Sequence, residues 1–255
     1  MVIPVFNQVS LTEHCLESLL ANSDVARELI VVDNASTDRT PAVLLAFQVR
    51  FAAQGWSFRV LRNEVNQGFG RACNRGIREA HGDFIGVLNN DTWLMPHWDR
   101  VLLMRAKALA ADMVTPCYDE QPFEGRRTPV KIAAFIRRNR GKTKREWGSI
   151  LMLFSRQALA RVGLFDERFF VTYEDTDLRE RMDRAEMRYF KVGDCVIWHH
   201  SKGTRGQQPL PKDYELEGLR LFVEKWGFDP RLREHTRGAR LRRRWQKIKS
   251  KFGLF

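Results

Sequence analysis

The N-terminal part of the chain alternates short apolar runs with longer segments of mixed polarity. The apolar runs predict strands at Val2–Phe6, Leu29–Asp33, Phe58–Leu61 and Phe84–Leu88. Between them, Ser10–Glu13 has the S-x-x-E form of a helix capping box, and Thr40-Pro41 suits the N-cap and first position of a helix that runs to Gly55. A further helix is predicted through Ala72–Ala80. Strands that alternate with helices predict a parallel sheet covered on both faces.

After Pro96 the pattern is less regular. The predicted elements are helices at Trp98–Ala110, Ser155–Val162, Glu174–Ala185 and Tyr214–Trp226, and short strands at Tyr189–Val192 and Cys195–Trp198. Residues 126–145 are rich in Arg and Lys and contain few residues that fix a turn. We predict that this basic stretch is a mobile loop or a short helical excursion near the functional site.

The C-terminal residues differ in composition from the rest of the chain. Of a net charge of +12, residues 231–255 contribute seven Arg and three Lys against one Glu. Their apolar residues fall on one stripe of a helix: Leu241, Trp245, Ile248, Phe252 and Phe255. We therefore predict a single domain over residues 1–230, followed by a basic amphipathic tail helix over residues 231–255.

A basic amphipathic helix has several possible partners. Anionic lipid headgroups fit best, so we expect residues 237–255 to bind an anionic membrane surface. Nucleic acid is not expected, because its phosphates give a helix little reason to keep one face apolar. Docking on the domain itself or on a partner helix is an alternative.

Apolar runs and cysteines limit the class of protein. The longest apolar runs hold about five or six residues, whereas a membrane-spanning helix needs about 18. The four cysteines are scattered and form no CxxC pair, which argues against a disulfide framework or a thiolate zinc site. We expect a cytoplasmic protein, held peripherally on the inner face of the cell membrane through its tail.

Polar residues follow two of the predicted strands. Asn89-Asn90-Asp91 comes directly after Phe84–Leu88, and Asp33 ends Leu29–Asp33. Ligands bind at the carboxyl ends of strands in open α/β sheets, and Mg²⁺ and Mn²⁺ prefer oxygen ligands such as carboxylates and phosphates. The pattern favours a site for a nucleotide and a metal; a plain turn explains Asn89-Asn90-Asp91 equally well, and turns and helix caps explain the Asp33 segment better when it is taken alone.

Three further groups are candidates for chemistry. Asn66–Gly70 holds two glycines before a helix, where the backbone can approach a ligand, but turns need glycine anyway. Glu174, Asp175 and Asp177 begin a helix; closely packed carboxylates raise one another's pKa, which suits a general base, and helix capping is the alternative. His199-His200 follows a strand, so one imidazole at most reaches a shared metal.

Taken in order, these segments resemble the family-2 glycosyltransferases, which have the GT-A fold. The resemblance covers Val2 to about Gly227 and rests on seven motifs in the family's order: IPVFN (3–7), VVDNASTD (31–38), NQGFGRACNRGI (66–77), LNNDT (88–92), GLFDERFF (163–170), YEDTDL (173–178) and WHHSKGT (198–204). It implies an α/β, Rossmann-like mixed and mainly parallel sheet flanked by helices.

The resemblance also implies site residues. Nucleotide-binding residues would be Pro4, Asp33, Asn66, Gly68 and Asn90. Asp91, at the family's DxD position, would bind Mn²⁺ or Mg²⁺ together with His199. Asp175 would be the catalytic base, supported by Glu174. Trp147, Gly148 and Asp177 would lie on the acceptor side; Trp147 could stack on a sugar, and an ordinary buried Trp is just as consistent with the sequence.

The implied activity is a single inverting displacement. A UDP- or dTDP-sugar would donate its sugar to a hydroxyl of a glycan or lipid-linked glycan acceptor in bacterial surface polysaccharide synthesis. The first two DxD positions are amides here, as in relatives that resemble deoxysugar transferases such as rhamnosyltransferases. A non-catalytic protein on the same scaffold, binding nucleotide, glycan or nucleic acid, is the alternative. A nucleotidyltransferase would need a Gly-rich loop with a basic clamp, which Asn7–Ser10 does not offer.

Overall fold

One mixed sheet joins the strands of this protein, whose computed structural model describes residues 1–120, 129–200 and 213–234. The strands are β1 Val2–Val5, β2 Glu28–Asp33, β3 Ser57–Arg62, β4 Phe84–Leu88, β5 Thr92–Leu94, β6 Met113–Glu120, β7 Thr143–Lys144, β8 Leu151–Ser155 and β9 Tyr189–His199. The helices are α1 Val9–Asn22, α2 Thr40–Ala53, α3 Phe69–Glu79, α4 Trp98–Ala108, α5 Pro129–Asn139, α6 Arg156–Val162, α7 Glu174–Arg184, α8 Tyr214–Trp226 and α9 Arg231–Glu234.

The strand order is β3-β2-β1-β4-β8-β6-β9-β5, with β7 paired to β9. The first four of these strands are mutually parallel, which follows from the helical crossovers between them. β8 runs antiparallel to both β4 and β6, while β9 runs parallel to β6. β4, β6 and β9 therefore point the same way, and their carboxyl ends share one edge of the sheet with those of β1, β2 and β3.

The two faces of the sheet carry separate apolar cores. Alternate residues of one strand belong to different cores, as the period of two requires: Ile3 packs with α1, α2 and α4, whereas Val2 packs with α3, α6 and α7. Both residues are fully buried. The prediction of a sheet with helices on both faces is confirmed.

The structure confirms the four predicted N-terminal strands and adds four that we did not predict: β5, β6, β7 and β8. β8 is a continuous apolar run, buried on both faces, and such a run does not by itself distinguish a strand from a buried helix. In the basic stretch, residues 129–139 form α5, so the helical excursion is correct there, while β7 is new. Residues 121–128 lie outside the described residues.

Two predicted helix starts are wrong in detail. The N-cap of α1 is Gln8, whose φ is 58°, so Ser10 lies inside the helix and no capping box forms. The N-cap of α2 is Arg39, and the carboxylate of Asp38 instead accepts a hydrogen bond from the Thr40 N–H at 2.9 Å. Contacts between the β1–α1 loop and the β2–α2 loop set the first residue of each helix. Such contacts between distant segments cannot be predicted from local residue spacing.

The tail was predicted as an amphipathic helix. Residues 235–255 lie outside the described residues, so that helix and its membrane contact stay predictions. In the part of the chain that the structure describes, no helix has both the length and the apolar character needed to cross a membrane.

Candidate active site

Most of the predicted site residues lie at one edge of the sheet. Asp33 ends β2, Asn66 follows β3, Asn90 and Asp91 follow β4, and His199 ends β9. Because all these strands run in the same direction, the residues that follow them gather at the carboxyl edge. Helical crossovers connect the parallel strands β1 to β4, and both strands and helices separate Asp91 from His199, so residues far apart in sequence meet at this edge.

Asp91 and His199 are in direct contact. The Oδ1 atom of Asp91 lies 3.3 Å from the Nε2 atom of His199, and their side chains are 8% and 15% exposed. β5 causes this proximity, since it follows Asp91 at once and pairs with the end of β9, Thr92 opposite His199. Among residues 1–120, 129–200 and 213–234, no group of three or more His, Cys, Asp or Glu side chains could hold a metal. The structure therefore shows a pair of adjacent side chains at this edge, one carboxylate and one imidazole.

Buried polar residues fix the backbone around Asp91. Thr92 is fully buried and donates a hydrogen bond from Oγ1 to the Asn89 carbonyl at 2.8 Å. The Asn90 side chain, also buried, donates to Oγ1 of Thr12 at 2.9 Å, so this amide faces α1. Burial raises the pKa of the neighbouring Cys15 thiol to about 12, so this thiol stays neutral beneath the site.

A cavity of about 370 Å³ opens beside this edge, between the loops that follow β1 and β2. Its lining residues are Asn7, Gln8, Val9, Ser10, Thr37 and Asp38. Asn7 joins the two loops: its N–H donates to Ser36 Oγ at 2.8 Å, and its side-chain oxygen accepts from the Thr37 N–H at 2.8 Å. Pro4 lies buried within β1, opposite Val32, before the chain reaches the cavity.

Asp38 completes the wall of that cavity. Its carboxylate accepts hydrogen bonds from the N–H groups of Val9 and Thr40. Burial alone would raise the pKa of Asp38, but these hydrogen bonds outweigh it and lower that pKa below its usual 3.8. The cavity therefore carries a fixed negative charge and several backbone dipoles, a setting that suits hydroxyl and N–H donors of a ligand.

Asp33 is buried and already has partners. One carboxylate oxygen accepts from the Ser36 N–H at 2.8 Å, and the other is paired with the Arg62 guanidinium. Arg62 is half exposed and also donates to the Ser36 carbonyl at 2.9 Å. Sequence reasoning missed Arg62; its position at the end of β3, beside the Asp that ends β2, was the available signal.

Asn34 is a second residue that sequence reasoning missed as part of the site. It is 4% exposed, and its side-chain oxygen accepts from Asn63 Nδ2 at 2.7 Å and from the Gln67 N–H at 3.0 Å. Its amide nitrogen donates to Asn66 Oδ1 at 2.6 Å and to the Gly68 carbonyl at 3.2 Å. One buried amide thus holds the Asn66–Gly68 turn to the end of β2.

Gly68 joins this turn to the segment before α7. Its φ is +85°, and a Cβ there would lie 2.2 Å from the Phe170 carbonyl oxygen, so no other residue fits without movement. The next N–H, that of Phe69, donates to the same carbonyl at 2.8 Å. Glu174 is buried beside Gly70, so the start of α7 is fixed next to the start of α3.

Asp175 lies in the first turn of α7 and is half-buried. The Thr176 hydroxyl donates to its Oδ1 at 3.2 Å. A carboxylate that is partly open to solvent, next to a buried one, can reach an incoming hydroxyl while Glu174 stays inside. The structure therefore separates two neighbours that looked alike in the sequence.

Asp177 is placed differently from its prediction on the acceptor side. Its side chain is fully buried; Oδ1 accepts from Trp226 Nε1 at 2.9 Å and lies 2.6 Å from Lys225 Nζ, while Oδ2 accepts from Arg181 Nε at 2.9 Å. Asp177 therefore holds α8 against α7. Lys225 also contacts Asp166, whose pKa is lowered, mainly by hydrogen bonds from Arg168.

Trp147 and Gly148 precede β8. The Trp147 ring packs edge-on against Tyr189 with centroids 5.4 Å apart, at the end of β9 opposite His199, and joins the core formed with α3, α6 and α7. Gly148 is buried against Thr115. Trp147 is thus partly buried and packs against the core at the end of β9 opposite His199, which is closer to the buried-Trp alternative than to a ring that stacks on a sugar.

Comparisons with known proteins agree with this fold. The family model of glycosyl transferase family 2 matches residues 1–169. The succinoglycan biosynthesis protein ExoO of Rhizobium meliloti is 30% identical, with 65% of this chain and 50% of that protein covered. The N-acetylglucosaminyl-diphospho-decaprenol L-rhamnosyltransferase of Mycobacterium tuberculosis is 27% identical, with 76% and 74% covered. The chain spans half the length of ExoO and 29% of the putative glycosyltransferase EpsH of Bacillus subtilis.

Solved structures show the same architecture at low identity. GalNAc-T7, in a crystal structure with UDP, GalNAc and Mn²⁺, has a TM-score of 0.69 at 16% identity, covering 87% of this chain and 47% of that one. TarS of Staphylococcus aureus has a TM-score of 0.62 at 17% identity, covering 88% and 38%. With a family match over residues 1–169 and this shared architecture, the chain belongs to glycosyl transferase family 2 and has the GT-A fold.

Proposed function

We propose that this protein is a metal-dependent inverting glycosyltransferase that uses a UDP- or dTDP-sugar donor. The observation that carries the proposal is the contact between Asp91 and His199 at the carboxyl edge, where the chain has the sequence LNNDT in place of the family's DxD. The cavity beside Asn7 and Asp38 lies at the same edge and would receive the nucleoside. Asp33 would contact the base or ribose while sharing its carboxylate with Arg62.

The residues at the edge fit a divalent metal. A carboxylate oxygen and an imidazole nitrogen 3.3 Å apart are close enough to bind one ion, and both side chains are nearly buried. Asp91 and His199 would hold Mn²⁺ or Mg²⁺, and diphosphate oxygens would complete the shell. A bound divalent cation there would neutralise the charge that develops on the departing nucleoside diphosphate. The solved structures of GalNAc-T7 and of the mannosyltransferase PcManGT of Pyrobaculum calidifontis contain Mn²⁺, with UDP and GalNAc in the first and GDP-Man in the second.

The chemical step we propose uses Asp175 as the general base. The carboxylate takes the proton of an acceptor hydroxyl as that oxygen forms a bond to the anomeric carbon, and the bond from that carbon to the diphosphate breaks with inversion. Glu174, packed against the start of α3, fixes the first turn of α7 and so positions Asp175. We propose that Asp177 also has a positioning role, since it holds α8 against α7, and that it does not contact the acceptor.

The acceptor we propose is a hydroxyl of a glycan or lipid-linked glycan in bacterial surface polysaccharide synthesis. The relatives that support this are a succinoglycan biosynthesis protein and a rhamnosyltransferase whose name specifies a diphospho-decaprenol acceptor. Placement on the inner face of the cell membrane would rest on the basic residues 237–255, and cytoplasmic location accords with the donor. These assignments are proposals for this chain.

Calorimetric titration of UDP and of dTDP, each with Mn²⁺, with Mg²⁺ and with chelator, tests the donor site. We expect one nucleotide to bind at micromolar concentration with metal and at least tenfold more weakly with chelator. Hydrolysis or transfer assays with the matching sugar nucleotide then identify the sugar. Absence of binding by either nucleotide with any metal would contradict the proposal and favour a non-catalytic protein on this scaffold.

A further inference from the structure

β9 contains an irregularity that the donor site does not explain. Its register with β6 shifts between Pro116 and Cys117: Pro116 pairs with Val192, but Cys117 pairs with Val196. Gly193, Asp194 and Cys195 are left outside the ladder. Bulges of this kind often re-aim side chains next to functional sites.

The bulge receives the turn that follows α5. The Gly193 N–H donates to the Lys142 carbonyl at 2.8 Å, and the Gly141 N–H donates to Asp194 Oδ1 at 2.8 Å. A Cβ at Gly193 would lie 1.9 Å from the Asn139 carbonyl oxygen, so only glycine allows this approach. The basic residues after α5 are therefore held against β9 by backbone contacts that a freely moving loop would not make.

These contacts form one side of a half-open basic pocket of about 260 Å³, in which Lys142 and Lys144 are exposed. The lining includes Lys142, Lys144 and Lys191, together with Tyr118, Phe135 and Glu146. Glu146 is paired with Lys191 at 2.5 Å, which leaves an excess of two positive charges. At about 30 Å³ per water molecule, the pocket has room for a small anion and part of the group attached to it.

The pocket shares one wall with the candidate metal ligands. Lys191 Nζ lies over the Tyr118 ring, 4.8 Å from its centroid, and the same ring lies edge-on to His199 with centroids 6.4 Å apart. The Lys191 side chain is only 14% exposed, and its ammonium group lies between the Tyr118 ring and its partner Glu146. At the pocket floor, burial raises the pKa of the Cys117 thiol, and the three lysines oppose that rise.

We infer that this pocket, referred to below as the lysine pocket, binds a phosphate or diphosphate group of the acceptor. The inference rests on the proposed function, because it assigns the anion to the acceptor next to a donor site. Lysine ammonium groups bind phosphate oxygens through charge-assisted hydrogen bonds. Tyr118 and Phe135 offer apolar surface to the group that carries the phosphate. A prenyl diphosphate and a phosphodiester of a glycan chain share this chemistry.

Lysine acetylation followed by peptide mass spectrometry locates the anion site by residue. The chain is acetylated briefly in two samples, with and without inorganic pyrophosphate. Both samples contain chelator and saturating UDP and dTDP, so that pyrophosphate does not bind at the donor site. We expect pyrophosphate to slow the acetylation of Lys142, Lys144 and Lys191 at least threefold and to leave that of the exposed Lys107 on α4 unchanged. Equal rates at Lys142 and Lys144 with and without pyrophosphate would overturn the inference.

A charge-matched pair of variants tests the pocket without disturbing the core. The first variant combines Lys142→Gln with Lys144→Gln. In it, the pyrophosphate concentration that halves the acetylation rate of Lys191 should rise about tenfold or more. The control, Lys107→Gln with Arg220→Gln, removes the same charge from exposed positions on α4 and α8 and should leave that concentration unchanged. An equal change in both variants would mean general charge screening and would also overturn the inference.

Geranyl diphosphate in place of pyrophosphate distinguishes the two sources of phosphate. Protection at a lower concentration of geranyl diphosphate would indicate a prenyl-linked acceptor, and equal concentrations would indicate a phosphate of a glycan chain. The nucleotide titration described above is read separately. If nucleotide binds but the lysines are not protected, the proposed anion site is wrong and the proposed donor site stands. If the lysines are protected but no nucleotide binds, the proposed anion site stands and the proposed donor site is wrong.

Discussion

Asp91 and His199 lie 3.3 Å apart because β5 brings the end of β9 back to the residues that follow β4. Secondary structure and burial hold both positions: Asp91 lies between buried Asn90 and Thr92, and His199 is the last residue of β9. Two potential ligands of different chemistry are therefore preorganised at the carboxyl edge, which lowers the entropic cost of binding an ion.

Substitution of Asp91 should uncouple metal from nucleotide binding. Loss even of a residue that only supports a metal ligand typically lowers metal affinity about 10–100-fold, so loss of the ligand itself in Asp91→Ala should remove at least that much. Calorimetry of UDP and dTDP with Mn²⁺ measures the effect. Asp83→Ala, at the opposite end of β4 and exposed, is the control. If metal enhances nucleotide binding to the Asp91 variant as much as to the natural chain, the metal binds elsewhere.

Substitution of Asp175 should separate binding from turnover. Asp175→Asn keeps the size and the Thr176 contact but cannot take a proton at neutral pH, so nucleotide affinity should be retained while turnover falls about 10²–10⁴-fold. Steady-state transfer assays give kcat and KM for both proteins. Asp213→Asn removes the same charge before α8 and should behave like the natural chain. Turnover within a few-fold of normal in Asp175→Asn would exclude it as the base.

The sequence predicts the architecture of this protein better than it predicts individual roles. The strands β1, β2, β3 and β4 and the helices on both faces follow from the period of apolar residues, because that signal is local. β8 and the bulge in β9 depend on pairing between distant segments, so β8 was missed and β9 was predicted as two strands. The convergence of Asp33, Asp91 and His199 follows once parallel strands are assumed.

Local spacing could not separate the three acids at the start of α7. All three are acids in one turn of the sequence, but their surroundings differ. Glu174 packs on α3, Asp175 is partly exposed to solvent, and Asp177 is fully buried against α8. Arg62 and Asn34 were missed for a related reason: each acts through partners on a distant segment of the chain, and a single sequence does not show such pairs. The resemblance alone suggested Trp147 for the acceptor side, and the sequence could not show that its ring packs against Tyr189.

Asp177 should act mainly on stability. Removing one partner from a buried charge pair typically costs about 3–5 kcal/mol, and Asp177→Ala would leave both Lys225 and Arg181 without their shared carboxylate. Urea unfolding measures the loss, and Asp229→Ala, in a surface pair with Arg231, should leave the unfolding midpoint unchanged. A variant of normal stability whose KM for acceptor rises would instead return Asp177 to the acceptor side.

The basic tail should provide membrane affinity independently of the sugar-transfer site. Each basic residue near an anionic surface contributes about 1 kcal/mol, so replacing Arg242, Arg243 and Arg244 by Gln should weaken binding on the order of a hundredfold. Co-sedimentation of the full-length chain with vesicles containing anionic lipid measures this. The control variant loses the same charge at and just after the end of α5, through replacement of Arg137, Arg138 and Arg140 by Gln. If the α5 substitutions lower vesicle binding more than the tail substitutions do, the membrane contacts the surface next to the lysine pocket. If the tail substitutions lower vesicle binding more, the membrane contact lies in the tail and the lysine pocket is free to bind the acceptor.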